Sequence, residues 1–169
     1  MSSKCYWITG LSASGKTTIS KKLSDNLKTK YNNVILLDGD QLRSIFKHDK
    51  YDIENRLNYG FIYSNLCKFL IMQNINIVIA IGGLFHELQS WNRKNIPGYI
   101  EIFLDVPLDE LQKRDPKGLY ESFNSGKMNN FYGGDIKPEL PLNPDVHLRW
   151  QKDETQNQTY QKLCKTIKL

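Results

Sequence analysis

A short apolar run, Tyr6 to Thr9, leads directly into Gly10, Leu11, Ser12, Ala13, Ser14, Gly15, Lys16 and Thr17, and an amphipathic stretch follows at once. The pattern G-x-x-x-x-G-K-[ST], set between a strand and a helix, constrains this chain more than any other feature it has. The glycines let successive backbone N–H groups turn toward one centre. A helix starting there adds the positive end of its dipole, so the loop is suited to phosphate oxygens. Lys16 brings a point charge to the β- and γ-phosphates, and the Thr17 hydroxyl, with Thr18 beside it, is placed to ligate Mg²⁺. A glycine turn that only caps a helix is the competing reading, and the strand and helix on either side disfavour it. The loop implies a nucleoside triphosphate.

The rest of the chain supplies a frame for such a loop. Apolar, β-branched runs recur at Tyr6 to Thr9, Val34 to Leu37, Ile77 to Ile81, Ile100 to Val106 and, more weakly, Val146 to Trp150. Continuous rather than alternating apolar character fits strands covered on both faces. Ile19, Leu23 and Leu27 recur every four residues and predict a helix over Lys16 to Lys28. Further helices are expected over Arg56 to Met72, after Pro107, and at the end, where Tyr160, Leu163, Cys164 and Ile167 share a face. The fold class implied is α/β, a P-loop NTPase with a mainly parallel sheet and helices on both faces. At 169 residues the expectation is a single domain, 1–169. Ser122 to Asp145 carries three glycines and three prolines without sustained periodicity, and a lid is expected over about residues 115–145.

The second strand ends in Leu37, Asp38, Gly39 and Asp40, with Arg43 a turn further on, at the carboxyl edge where open α/β folds bind ligands. One carboxylate can steer Mg²⁺ or take the proton of an attacking hydroxyl, and the other can hold a ribose. The sequence leaves that division open, so both are catalytic candidates with Lys16, and Asp38 joins Thr17 as a metal candidate. A polar turn with Asp40 capping a helix is the alternative.

Charge and composition narrow the partners. A net charge of +5 suits an anionic small molecule, but the basic residues are scattered and form no nucleic-acid-binding motif. Cys5, Cys67 and Cys164 are odd in number and widely spaced, which predicts buried thiols in a reducing cytoplasm. No apolar run is long enough to span a membrane, and Met1 to Gly10 lacks the pattern of an export signal. His48, His86 and His147 are expected at the surface or at helix caps, and Trp7, Trp91 and Trp150 in packing roles. Arg93 and Lys94 are read either as facing acceptor phosphates or as a solvated face.

Several segments together resemble the adenylylsulfate kinases, which phosphorylate the 3′-hydroxyl of adenylyl sulfate. They are the phosphate loop, Leu37 to Arg43, the run Arg114-Asp-Pro-Lys-Gly-Leu-Tyr120, the Phe131-Tyr-Gly-Gly-Asp135 segment, and the pairs Pro138-Glu139 and Pro144-Asp145. The resemblance implies ATP and Mg²⁺, with Asp40, Arg43, Tyr51 and Arg56 lining the acceptor site. It places Lys117 and Phe131 on the closing lid and Arg114 near the ATP base and phosphates. It also implies a homodimer, although no interface motif is legible.

The departures from that family lie around the acceptor. Tyr59 stands where the family has an asparagine, Gly82-Gly83 replaces Ser-Pro, and Tyr132 replaces the lid threonine. Glu121, Ser122 and Asn124 replace a basic cluster. A sulfate-bearing adenylate would lose donors and positive charge at these places. The chain thereby resembles more closely the cytidine diphosphoramidate kinases of bacterial capsule phosphoramidate synthesis, and its expected acceptor is that nucleotide, at the ribose 3′-hydroxyl. An adenylyl-sulfate kinase and a non-catalytic nucleotide-binding module are the alternatives. The intact Lys16, Thr17, Asp38 and Asp40 weigh against the second, and the missing N-K-x-D signature weighs against a GTP switch.

Overall fold

All five predicted runs are parallel strands in the computed structural model, which describes residues 3–169, so Met1 and Ser2 of the expected signal-free start lie outside it. The strands are β1 (Cys5–Thr9), β2 (Val34–Asp38), β3 (Asn76–Ala80), β4 (Tyr99–Asp105) and β5 (Val146–Arg149), in spatial order β2-β3-β1-β4-β5. β1 is central, with Cys5 opposite Ile77 on one side and Tyr99 on the other. Every residue of β1 and β3 is buried, as continuous apolar runs require. β5 is an edge strand with alternating burial that leaves His147 and Arg149 exposed, which is why its apolar signal is weak.

Among the described residues, seven helices pack around the sheet: α1 (Lys16–Lys28), α2 (Gly39–Ile45), α3 (Ile53–Ile71), α4 (His86–Asn95), α5 (Leu108–Arg114), α6 (Leu119–Asn124) and α7 (Gln156–Ile167). Alternate residues of the inner strands β1 and β3 feed two cores. Cys5, Trp7, Ile77 and Ile79 pack with Tyr63 and Cys67 of α3 and Leu88 of α4. Tyr6, Ile8, Val78 and Ile102 meet Ile19, Leu23 and Leu27 of α1 and Leu163 of α7 on the opposite face. Gly60 lets α3 approach α4 closely, because a Cβ there would lie 2.6 Å from Leu88 Cδ2.

Three helices escape a periodicity search. α2 and α6 are short, and the buried face of α4 carries Gln89 and Asn92 as well as Leu88. α3 starts at Ile53 rather than Arg56 because the Asp52 side chain caps it, accepting from Asn55 N at 3.0 Å. Pro107 sits at the cap of α5, one position before its first turn. A Thr155–Gln158 capping box starts α7.

The glycine- and proline-rich stretch is heterogeneous. Its first part folds with α6 into a small cluster of Leu111, Tyr120 and Phe131. A tight turn follows, in which Asp135 accepts from the amides of Asn130 and Phe131 at 2.7 and 2.6 Å. Gly133 adopts φ +85°, and Gly134 leaves room for the Phe123 ring, 2.6 Å from where a Cβ would stand. The last part is bound to α4: Glu139 Oε2 accepts from His86 N, and Asp145 accepts from Arg93 Nη1 at 3.1 Å. Arg93 therefore turns away from the carboxyl edge, and it also pairs with the buried Glu101 at 3.2 Å. No helix among the described residues is long and apolar enough to cross a membrane.

Candidate active site

One cleft of about 1420 Å³ opens at the carboxyl edge of the sheet, and every site residue proposed from the sequence lines it. Pockets for a single small ligand run to roughly 300–1,000 Å³, so this one has room for two nucleotides. β1 delivers the phosphate loop to its centre. Gly10 must be glycine: with φ +152°, a Cβ would lie 2.7 Å from the Leu104 carbonyl and 2.8 Å from Ser14 Oγ. Gly15 is free of crowding but holds φ +95° as the cap of α1. Lys16 Nζ folds back over the loop, donating to the carbonyls of Gly10 at 2.9 Å and Leu11 at 2.7 Å. Removal from water pushes its pKa down to about 8, against the opposing pull of Asp40 and Asp38 and with a further push from Lys117.

Cap geometry separates the two carboxylates that the sequence leaves equivalent. Asp38, not Asp40, caps α2, its Oδ1 accepting from Asp40 N at 2.9 Å and Gln41 N at 3.4 Å. That leaves Asp38 Oδ2 facing the Thr17 hydroxyl, which donates to it at 3.2 Å. Two hard oxygens beside a phosphate loop fit Mg²⁺, which takes few protein ligands and completes its shell with water and phosphate. Asp40 projects into the cleft and pairs with Lys117. Both members of that pair are exposed, so the contact contributes little to stability and is free to open.

The side of the cleft expected to take the acceptor is aromatic and cationic. The Arg43 guanidinium lies 4.3 Å from the centre of the Tyr51 ring, and that of Arg56 lies 4.6 Å from Tyr132. Arg56 is further held by the carbonyls of Tyr51 at 2.5 Å and Asn130 at 2.7 Å. Tyr132 is nearly buried, edge-on to Phe85, with a hydroxyl that has no protein partner. Its ring lies 3.7 Å from where a Cβ on Gly82 would stand, so it covers the face left open by the missing side chain. The Thr9 hydroxyl donates to the Gly82 carbonyl and fixes the end of β3.

At the opposite end, Arg114 is held by Glu110 at 2.9 Å, with its guanidinium 5.6 Å from the Trp150 ring. The run from Arg114 to Tyr120 is a helix junction: Asp115 accepts from the amides of Leu119 and Glu121 at the start of α6, Gly118 takes φ +62°, and the Tyr120 hydroxyl donates to Ser12 O at 3.2 Å. Phe131 borders the cleft, but its ring packs edge-on against Tyr120 at 4.9 Å. Trp150 also lines the cleft with its indole N–H unpartnered, a position read from the sequence as packing. Its strand pattern carries no sign of which way the ring turns after β5 ends.

A profile of the family described as adenylylsulphate kinase matches residues 2–149. The chain is 40% identical over 139 residues to the cytidine diphosphoramidate kinase of Campylobacter jejuni, covering 80% of this chain and 82% of that one. It is 36% identical over 145 residues to an adenylyl-sulfate kinase of Pseudomonas aeruginosa, covering 84% and 74% respectively. In three dimensions it resembles the Mycobacterium tuberculosis APS kinase CysC in complex with AMPPNP and APS, with a TM-score of 0.89, 27% identity, and coverage of 99% and 98%. Sequence and fold agree along almost the whole chain, which belongs to the adenylylsulphate kinase family and is a kinase.

Proposed function

We propose that this protein is a cytoplasmic, Mg²⁺-dependent enzyme that moves the γ-phosphoryl group of ATP onto the ribose 3′-hydroxyl of cytidine diphosphoramidate. The acceptor wall carries this reading. Tyr59 and Tyr132 set aromatic rings, and Gly82 bare backbone, where the resembled family has small polar side chains, and the Campylobacter relative is named for that acceptor. Adenylyl sulfate is the second reading, favoured by the relatives and the structural neighbour named for it.

The chemistry follows from positions in the cleft. Phosphoryl transfer requires alignment and positive charge rather than a covalent nucleophile. The phosphate-loop amides and Lys16 hold the triphosphate, and Lys16 leaves the Gly10 and Leu11 carbonyls for phosphate oxygens. Thr17 and Asp38 would hold Mg²⁺, which would supply positive charge to the triphosphate. Asp40 exchanges Lys117 for the acceptor hydroxyl and accepts its proton as O3′ bonds to phosphorus and the bond to the β-phosphate oxygen breaks. Arg43 and Arg56 hold the acceptor's phosphate chain, and Arg114 lies along the ATP base. Residues about 115–145 serve as the lid, with α6 and Phe131 as the part that moves.

The test is ATP consumption with Mg²⁺ against cytidine diphosphoramidate, adenylyl sulfate and CDP in parallel, with product mass showing one added phosphoryl group. Selective turnover of the cytidine compound is expected. Selectivity for adenylyl sulfate would replace the proposed acceptor by the second reading.

A further inference from the structure

His48 is not part of the cleft lining, yet it touches the acceptor wall from behind. Its imidazole lies flat on the Tyr59 ring, with centroids 3.7 Å apart and planes 8° from parallel. Its Nδ1 is 2.8 Å from the hydroxyl of Tyr63, a residue only 2% exposed and part of the core beneath α3. The Phe46 ring lies 5.5 Å from the imidazole, with planes 21° apart. The loop carrying His48 is fastened by Arg43, whose Nη1 donates to the carbonyls of His48 and Lys50 at 3.1 Å each. The same guanidinium lies 5.4 Å from the centre of the Tyr59 ring. Burial first, then the Arg43 charge, lower the imidazole pKa against the pull of Asp49, which favours the neutral ring at pH 7.

A core-anchored hydrogen bond and a face-to-face stack together fix the plane of a ring that would otherwise swing about its χ angles. Tyr59 is the ring so fixed, and it borders the cleft between Arg43, Arg56 and Tyr51. We infer that His48 is a positioning residue for the acceptor: it holds Tyr59 flat, so that the aromatic wall is already set when the acceptor nucleotide's base or ribose comes to rest against it. The inference rests on the kinase reading above but not on which acceptor is used. A pre-set wall lowers the ordering cost of acceptor binding and leaves ATP binding and the transfer step unaffected.

The experiment is steady-state kinetics of the wild type, His48→Ala and His48→Phe, with acceptor and ATP varied separately and melting temperature measured alongside. His48→Ala is expected to raise the acceptor KM about 3- to 10-fold, with kcat and the ATP KM within about 2-fold. His48→Phe keeps the stack but loses the bond to Tyr63, so its acceptor KM should fall between those of the wild type and His48→Ala. An unchanged acceptor KM in His48→Ala overturns the inference, as does a loss spread over kcat and both KM values together with a lowered melting temperature. A wild type that phosphorylates adenylyl sulfate instead removes the cytidine acceptor while the same KM ratio still decides His48. A wild type that phosphorylates no acceptor overturns both.

Discussion

Lys16 stands at the residue scale as a charge that the empty fold opposes. Its pKa of about 8 lies below the usual lysine value, so the unfolded chain binds the extra proton between the two. The folded state thus carries a penalty that is full below pH 8 and relieved as pH rises toward the unfolded value. A triphosphate reverses the balance by supplying opposite charge. At pH 8.5, ATP binding should take up roughly 0.5–0.8 proton, and at pH 6.5 almost none. Calorimetry in two buffers of different ionisation enthalpy reads this directly, and Lys16→Ala should abolish the uptake. The same variant should lose at least about 10²-fold in kcat with no fall in melting temperature at pH 7, because the substitution removes an opposed charge rather than core packing. Proton uptake that survives in Lys16→Ala would assign the low pKa to another group.

Among the elements, α4 has a role its sequence conceals. It clamps the end of the glycine- and proline-rich stretch through Glu139 and Asp145, and Arg93 is the hinge of that clamp. Glu101, 3% exposed on β4, has its pKa raised by burial, and Arg93 opposes the rise. Arg93→Ala leaves this carboxylate buried with only the Tyr99 hydroxyl as a side-chain partner, at 3.2 Å. A cost of about 2 kcal/mol is expected at pH 8, below the range for fully buried pairs because Arg93 is 44% exposed. A carboxyl with a raised folded pKa loses stability as pH rises through its window, and removing Arg93 lifts that window further. The cost should therefore be smaller at pH 5 than at pH 8, because the lower pH favours the neutral carboxyl. Urea unfolding at the two pH values measures it, and equal losses would trace the effect to Asp145 instead. None of this was legible beforehand. A helix whose buried face holds Gln89 and Asn92 has no apolar stripe to detect, and Arg93 meets partners 8 and 52 residues away.

Across the whole molecule, the two halves of the proposed lid differ in what holds them. Lys117 to Phe131 is tied to the rest by the exposed Asp40–Lys117 pair, by Tyr120 on Ser12 and by Arg56 on Asn130, whereas 139–145 is sewn to α4. Hydrogen exchange should show amides of 119–131 gaining about tenfold protection or more when an ATP analogue and acceptor bind together, with 139–145 protected throughout. Equal change in both halves would make the whole segment one moving body. Legibility divides in the same way. The phosphate loop, the five strands and the helices with apolar stripes were determined by the sequence alone, because each depends on residues close together in the chain, in a motif, a continuous apolar run or a 3.6-residue periodicity. The resemblance supplied the acceptor-side candidates but not their arrangement. Tertiary structure alone decided that Asp38 rather than Asp40 caps α2, that Trp150 turns into the cleft, and that His48 lies flat behind Tyr59. Each of those outcomes is settled by the direction a side chain takes once distant segments meet, and no local spacing encodes that direction.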